Sequence, residues 1–402
     1  MKNGTGSLVV VLMMMLANAT GASIGKRKFS DLGEVEIQRR LKQLNSRPAV
    51  KSINSSNGDI FDCVYIYNQP AFDHPLLRNH TIQMEPSSYP KSLSKGKEAS
   101  KEGTAATRLW PKTGKCPKNT VPIKRTTRED LLIADLMNKL KGNIPIINGS
   151  KYPTDGHEYA IVNAMHGQFT GASARINLWK PTVQIRREFS LAQMWVKSGN
   201  SDPISCLEVG WQVYPQGYGN DNNPKLFVYY TGDSYNSGCY NTYCPGFVYV
   251  NQEIRLGETL EPTSTYGGVQ TDMFVQIWKD LRNGNWWVSV GESNVGYWPS
   301  SVVPALSDHA TVVQWGGEIT NFMRTKHTTT EMGSGHFPEE GFGRAAFFTN
   351  LYVIDTTSVP KDPESLHPYI TDHNCYNLIP DRSGPLGTFF YYGGPGRNPR
   401  CP

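Results

Sequence analysis

What most constrains this chain is a series of short β-branched and aromatic runs in its C-terminal part, each cut off by Gly, Pro or Asn. Lys225-Leu-Phe-Val-Tyr-Tyr230, Gly246-Phe-Val-Tyr-Val250 and Met273-Phe-Val-Gln-Ile-Trp278 are the clearest. Such residues pack well on a pleated, half-buried surface, and the interruptions set turns between them. Asn283-Gly284 lies between Phe274–Trp278 and Trp286–Val290, which signals a hairpin. No strand–helix–strand alternation and no fixed-period repeat is visible. The expectation is an all-β, antiparallel sandwich or barrel. The 402 residues leave room for two to three domains.

The first 22 residues read as a secretory signal peptide. Lys2 gives a positive start, Leu8–Leu16 is an apolar run too short to span a bilayer, and Ala17-Asn18-Ala19 supplies small residues for cleavage. A buried N-terminal helix is the alternative. Secretion favours disulfides, yet the seven cysteines are an odd number, so one is left over or pairs between chains. Asn54, Asn79 and Asn148 each open a glycosylation sequon.

Charge divides the chain. Residues 20–148 hold 22 Lys/Arg against 12 Asp/Glu, a net of +10, and residues 149–402 hold 17 against 23, a net of −6. The two parts can attract each other. Two helices are expected in the basic part. One opens at a capping box, Asp31-Leu-Gly-Glu34, with Ile37, Leu41 and Leu44 on one face. The other opens at Thr127-Arg-Glu-Asp130, with Leu132, Leu136 and Leu140 on a stripe and Gly142 as its C-terminal cap. Residues 86–105, rich in Ser, Lys and Gly, read as a mobile loop.

Several familiar sites are excluded. His157-Glu-Tyr-Ala-Ile161 begins like HExxH but lacks the second histidine. Gly341-Phe-Gly-Arg-Ala-Ala346 matches GxGxxA, but strands surround it. There is no GxSxG elbow and no P-loop. Cys239 and Cys244 have no second pair to complete a zinc site, so a local disulfide is the better reading. No metal, organic cofactor or nucleic-acid partner is expected. Carboxylates remain. Glu208 in Cys206-Leu-Glu-Val-Gly-Trp-Gln-Val213 and Glu318 in Val312-Val-Gln-Trp-Gly-Gly-Glu-Ile319 each interrupt an apolar strand. A carboxylate there is costly to bury unless paired or protonated. The alternative is that each faces solvent from a half-exposed sheet.

Ordered blocks along most of the chain resemble the plant neprosin family. Asp62–Leu77 and Cys116–Thr126 resemble its activation peptide. Ile204–Pro215, Gly238–Phe247, Gly296–Pro299, Gln314–Glu318 and Gly335–Gly343 resemble its peptidase domain. The resemblance implies a signal peptide over 1–22, a pro-domain over 23–148 and a peptidase domain over 149–402. The peptidase domain would be a β-sandwich of two antiparallel sheets, preceded by an α+β pro-domain. It further implies an endopeptidase cutting after proline with two catalytic glutamates, which fall on Glu208 and Glu318. The expected bridges are Cys63–Cys116, Cys239–Cys244 and Cys375–Cys401, leaving Cys206 free on the strand face of Glu208.

In the expected mechanism one glutamate stays ionised and takes a proton from water, while the other, protonated, polarises the peptide carbonyl. Gln212 and Gln314, four residues from the glutamates along their strands, are candidates to support the oxyanion or orient a carboxyl. The partners would be proline-containing peptides and the chain's own pro-segment, acting as an intramolecular inhibitor. The expected location is outside the cell or in the vacuole. Acid is expected to trigger self-cleavage around 142–154. A glycosidase with paired carboxylates, or a cell-wall glycan-binding protein without catalysis, are the rival readings.

Overall fold

The computed structural model describes residues 33–91, 109, 114–132, 156–198, 203–323, 325–381 and 387–402. The signal peptide, Asp31, Leu136, Leu140, Gly142, Asn148, the 142–154 segment and most of the 86–105 loop lie outside these residues.

The N-terminal part is a small α+β unit. Helix α1 (Glu34–Asn45) starts at Gly33, which has no side-chain cap, and the stripe buries Ile37. Three antiparallel strands follow, β1 (Ala49–Asn54), β2 (Ile60–Tyr65) and β3 (Thr120–Lys124). The Cys63–Cys116 disulfide lies among the buried residues Ile53 and Phe61. The second helix begins at 128, as Thr127 foretold: Thr127 N and Oγ1 donate to Asp130 Oδ2, and Asp130 N donates back to Thr127 Oγ1. Asn54 and Asn79 are both exposed.

The rest is strand. In chain order these are β4 (His157–Ala164), β5 (Phe169–Asn177), β6 (Ser190–Lys197), β7 (Cys206–Val213), β8 (Lys225–Thr231), β9 (Cys239–Tyr240), β10 (Val248–Tyr249), β11 (Asp272–Lys279) and β12 (Trp286–Val290). They continue as β13 (Ser293–Trp298), β14 (Val312–Thr320), β15 (Ala346–Asp355), β16 (Pro360–Lys361), β17 (His367–Ile370), β18 (Asn377–Asp381) and β19 (Phe389–Gly393). One sheet runs β10-β13-β12-β11-β5-β15-β19-β18, with β16 beside β15; the other runs β17-β4-β14-β6-β7-β8-β9. All pairings are antiparallel. The expected two-sheet sandwich is therefore the observed fold. The β11–β12 hairpin is present, but Lys279 pairs with Trp286, so Asn283-Gly284 bends a longer connection, with Gly284 at φ 80°.

Strand alternation divides each strand of the second sheet between two environments. On β7, Leu207, Val209, Trp211 and Val213 face the first sheet and join its Met273, Val275 and Ile277 in the main core. Cys206, Glu208, Gly210 and Gln212 take the opposite face. That face is also closed, by an aromatic cluster that includes Tyr159, Phe189, Trp195, Tyr214, Phe227, Tyr229, Tyr235 and Tyr240. Every residue of β6, β7, β8 and β14 is buried. The solvent-facing alternative for the two glutamates is thereby overturned.

The two disulfides of this part, Cys239–Cys244 and Cys375–Cys401, have the expected partners, and Cys206 is buried and in no disulfide.

Candidate active site

Strand β6 lies between β7 and β14 and sets the geometry of the aromatic face. Its outward residues are Leu191, Gln193, Trp195 and Lys197. Register places Glu208, Trp195 and Gln314 in one cross-strand row, and Gln212, Leu191 and Glu318 in another. Between them runs Gly210, Gln193, Gly316. Glu208 and Glu318 thus do not stand directly opposite each other. They occupy opposite corners around Gln193, each its diagonal neighbour, at a Cα spacing of about 7–8 Å that long side chains can bridge.

The middle row explains two glycines. A Cβ on Gly210 would meet the Ala192 carbonyl oxygen at 2.1 Å, and one on Gly316 would meet the Ala160 carbonyl oxygen at 2.3 Å. Close strand approach demands glycine at both. The consequence is that no side chain flanks Gln193 in its row, between the two carboxylates.

Both glutamates are desolvated. Glu208 is 0% exposed and Glu318 3%. Glu318 Oε1 lies 2.5 Å from His157 Nδ1, and Gln193 Nε2 donates to Glu318 Oε2 at 3.4 Å. Tyr235 OH donates to Glu208 Oε1 at 3.2 Å. Tyr235 and Ser234 both have positive φ, 63° and 60°, an uncommon state for a bulky residue. Asp233 holds that turn, accepting from Ser237 N at 2.8 Å and Ser237 Oγ at 2.6 Å. The strained turn is what aims the Tyr235 hydroxyl at Glu208. Burial, reinforced by the charge of Glu208, pushes the Tyr235 pKa well up, so the phenol remains a donor.

Gln212 and Gln314 share the face as expected, but their amides are engaged elsewhere. Gln212 Nε2 donates to Tyr218 OH at 2.7 Å, and Gln314 Nε2 to Asn163 Oδ1 at 2.5 Å. Sequence reasoning missed His157, Gln193, Lys197 and Tyr235. The first three left a signal: each is a polar residue at an alternate position of a strand that is otherwise largely apolar.

The N-terminal unit reaches one end of this face. Lys124 Nζ lies 5.4 Å from the Tyr218 ring centroid, and Tyr243 OH donates to Asp130 Oδ1 at 3.2 Å. Elsewhere it grips the sandwich through hydrogen bonds onto carboxylates. Gln83 Nε2, Ser87 N and Ser88 Oγ donate to Asp280 at 2.8, 2.6 and 2.8 Å, and Ser55 Oγ donates to Glu258 at 3.1 Å. The ion pairs Arg47–Asp73, Lys124–Asp130 and Arg125–Asp62 lie within the N-terminal unit.

Residues 186–395 match the neprosin family and residues 52–163 the neprosin activation peptide. The second match runs into β4, which belongs to the seven-stranded sheet. Among solved structures the chain is similar to Scytalido-glutamic peptidase with a peptide-based transition-state analogue, and to SCP-B, an eqolisin-family peptidase, with the tripeptide Ala-Ile-His. Identity is 10% in both, coverage is 60% of this chain and 97% of each relative, and the TM-scores are 0.32 and 0.33. Activation peptide and peptidase domain occur here in one polypeptide, and the chain belongs to the neprosin family of peptidases in its precursor form.

Proposed function

We propose that the chain is the secreted zymogen of a glutamic-type endopeptidase that cuts after proline, with Glu208 and Glu318 as its catalytic carboxylates. The observation that carries this is their placement at opposite corners of the row Gly210-Gln193-Gly316, which has no side chain beside Gln193, on a dry face. A peptide unit lying over Gln193 would have one carboxyl at each side. The ionised glutamate takes a proton from water as the water oxygen bonds to the carbonyl carbon. The protonated one polarises the carbonyl and then gives its proton to the leaving nitrogen as the C–N bond breaks. The base then gives its proton to solvent and the acid regains one from solvent, which restores the starting state. The stagger means the two need not share one proton directly, as facing carboxylates would.

Specificity for proline rests on family membership, and the aromatic face supports it, since Trp195, Tyr159 and Tyr229 offer flat surfaces to a pyrrolidine ring. We take residues 1–22 as the signal peptide, 23–148 as the pro-segment and 149–402 as the peptidase. Burial of both glutamates in the precursor supports a latent form, with Lys124 and Asp130 leading the pro-segment onto the face. Acid would favour release and supply the protonated carboxyl at once.

Glu208→Gln and Glu318→Gln test the reading. Each folded variant should lose at least about a thousandfold in kcat on a proline-containing peptide, since each removes an acid–base group. Near wild-type turnover in either would refute the assignment.

A further inference from the structure

The corner around Glu208 holds a lysine where the corner around Glu318 holds His157. Lys197 is 0% exposed and stands directly opposite Cys206 across the β6–β7 pair. Glu208, two residues further along β7, is therefore its diagonal neighbour on the same face, within reach of a lysine side chain. The other groups turned toward Glu208 are Trp195 from β6, Cys206 from β7, Tyr229 from β8, Tyr235 from the turn after it, Tyr240 from β9, and Gln314 across Trp195. Burial first, and then the charge of Glu208, pushes Tyr229 and Tyr240 well up, so they stay neutral as Tyr235 does. At the other corner Glu318 meets His157, Gln193 and Tyr159.

A buried ammonium is costly unless an anion compensates it, and the same holds for a buried carboxylate. Placing the two on one dry face lets each offset the other. Burial pulls the Lys197 pKa below its ordinary value, while Cys206 and Glu208 pull it back up.

Resting on the peptidase reading above, we propose that Lys197 is a positioning residue that keeps Glu208 ionised in acid. Glu208 is then the base that takes the water proton. The leaving nitrogen takes its proton through Glu318, whose Oε1 shares a short hydrogen bond with His157. The enzyme keeps a competent base at a pH where an ordinary glutamate, with a pKa of about 4.3, is mostly protonated.

The test is the pH dependence of kcat for the full precursor, brought to acid and assayed on a proline-containing peptide between about pH 2 and about pH 6. Lys197→Gln should move the acid limb upward by about one unit or more. That is roughly a tenfold loss on the limb, with activity above it changed far less. Lys197→Arg should restore the wild-type limb. An unmoved limb in folded Lys197→Gln overturns the proposal. Should that variant not fold, ¹³C titration of the wild-type precursor decides, with the Glu208 carboxyl signal identified by its loss in Glu208→Gln. Glu208 should take up its proton below the ordinary glutamate value of about 4.3; protonation at or above that value overturns the proposal. Absence of peptide cleavage by wild type at any pH would instead sink the peptidase reading, and the titration would still decide the role of Lys197.

Discussion

His157 Nδ1 and Glu318 Oε1 lie 2.5 Å apart on a face where both side chains are almost wholly buried. His157 heads β4 and Glu318 sits near the end of β14, so the antiparallel pairing of those strands creates the contact. Removing His157 would leave buried Glu318 with the weaker 3.4 Å donor from Gln193. His157→Phe should therefore destabilise the fold by about 3–5 kcal/mol. His157→Gln, which retains a donor, should cost less. Denaturant unfolding of the two variants against wild type checks this; equal stability of His157→Phe and wild type would show that the pair contributes nothing.

Asp280 ties the pro-segment to the sandwich. Burial alone would raise its pKa, but donors from Gln83, Ser87, Ser88 and Arg282 outweigh that and hold it at about 2. A depressed carboxylate stabilises the docked state above its free pKa of about 4, and that stabilisation is lost as pH falls toward about 2. Asp280 is 0% exposed in the docked state, and its hydrogen bonds as a charged acceptor are worth about 1–3 kcal/mol to docking. Asp280→Asn should weaken docking at neutral pH and flatten its acid dependence between about pH 4 and about pH 2. Limited proteolysis of the pro-segment across pH would read this out, and unchanged protection would refute it.

Gly210 is fixed by the Ala192 carbonyl 2.1 Å from where a Cβ would stand. Since backbone must yield, Gly210→Ala should cost about 2 kcal/mol or more and lower kcat by displacing Gln193 and Glu208. A folded variant with wild-type melting and turnover would show the strands can separate freely.

Cys206 should behave as a single inert thiol. A thiol reagent should label about none of it in the native precursor and about one equivalent in denaturant, because buried thiols are unreactive. Non-reducing peptide maps should place Cys206 in no disulfide. Rapid native labelling would show that the face opens.

The same residues show how far a linear reading reaches. Alternating apolar and aromatic runs specified the all-β class, because side-chain period and turn chemistry are local properties. The Thr127–Asp130 cap was legible for the same reason, as reciprocal bonding spans three residues. Glu208 and Glu318 were conspicuous because a carboxylate in an apolar strand contradicts its surroundings. The sequence could not reveal that β6 lies between their strands, that the two sit at a diagonal around Gln193, or that His157, some 160 residues away, closes on Glu318. Strand order and register arise from long-range pairing, and a shift of one residue would turn every one of these side chains to the opposite face. The chemical inventory was written in the chain, whereas its assembly around Gln193 was decided by the sheet.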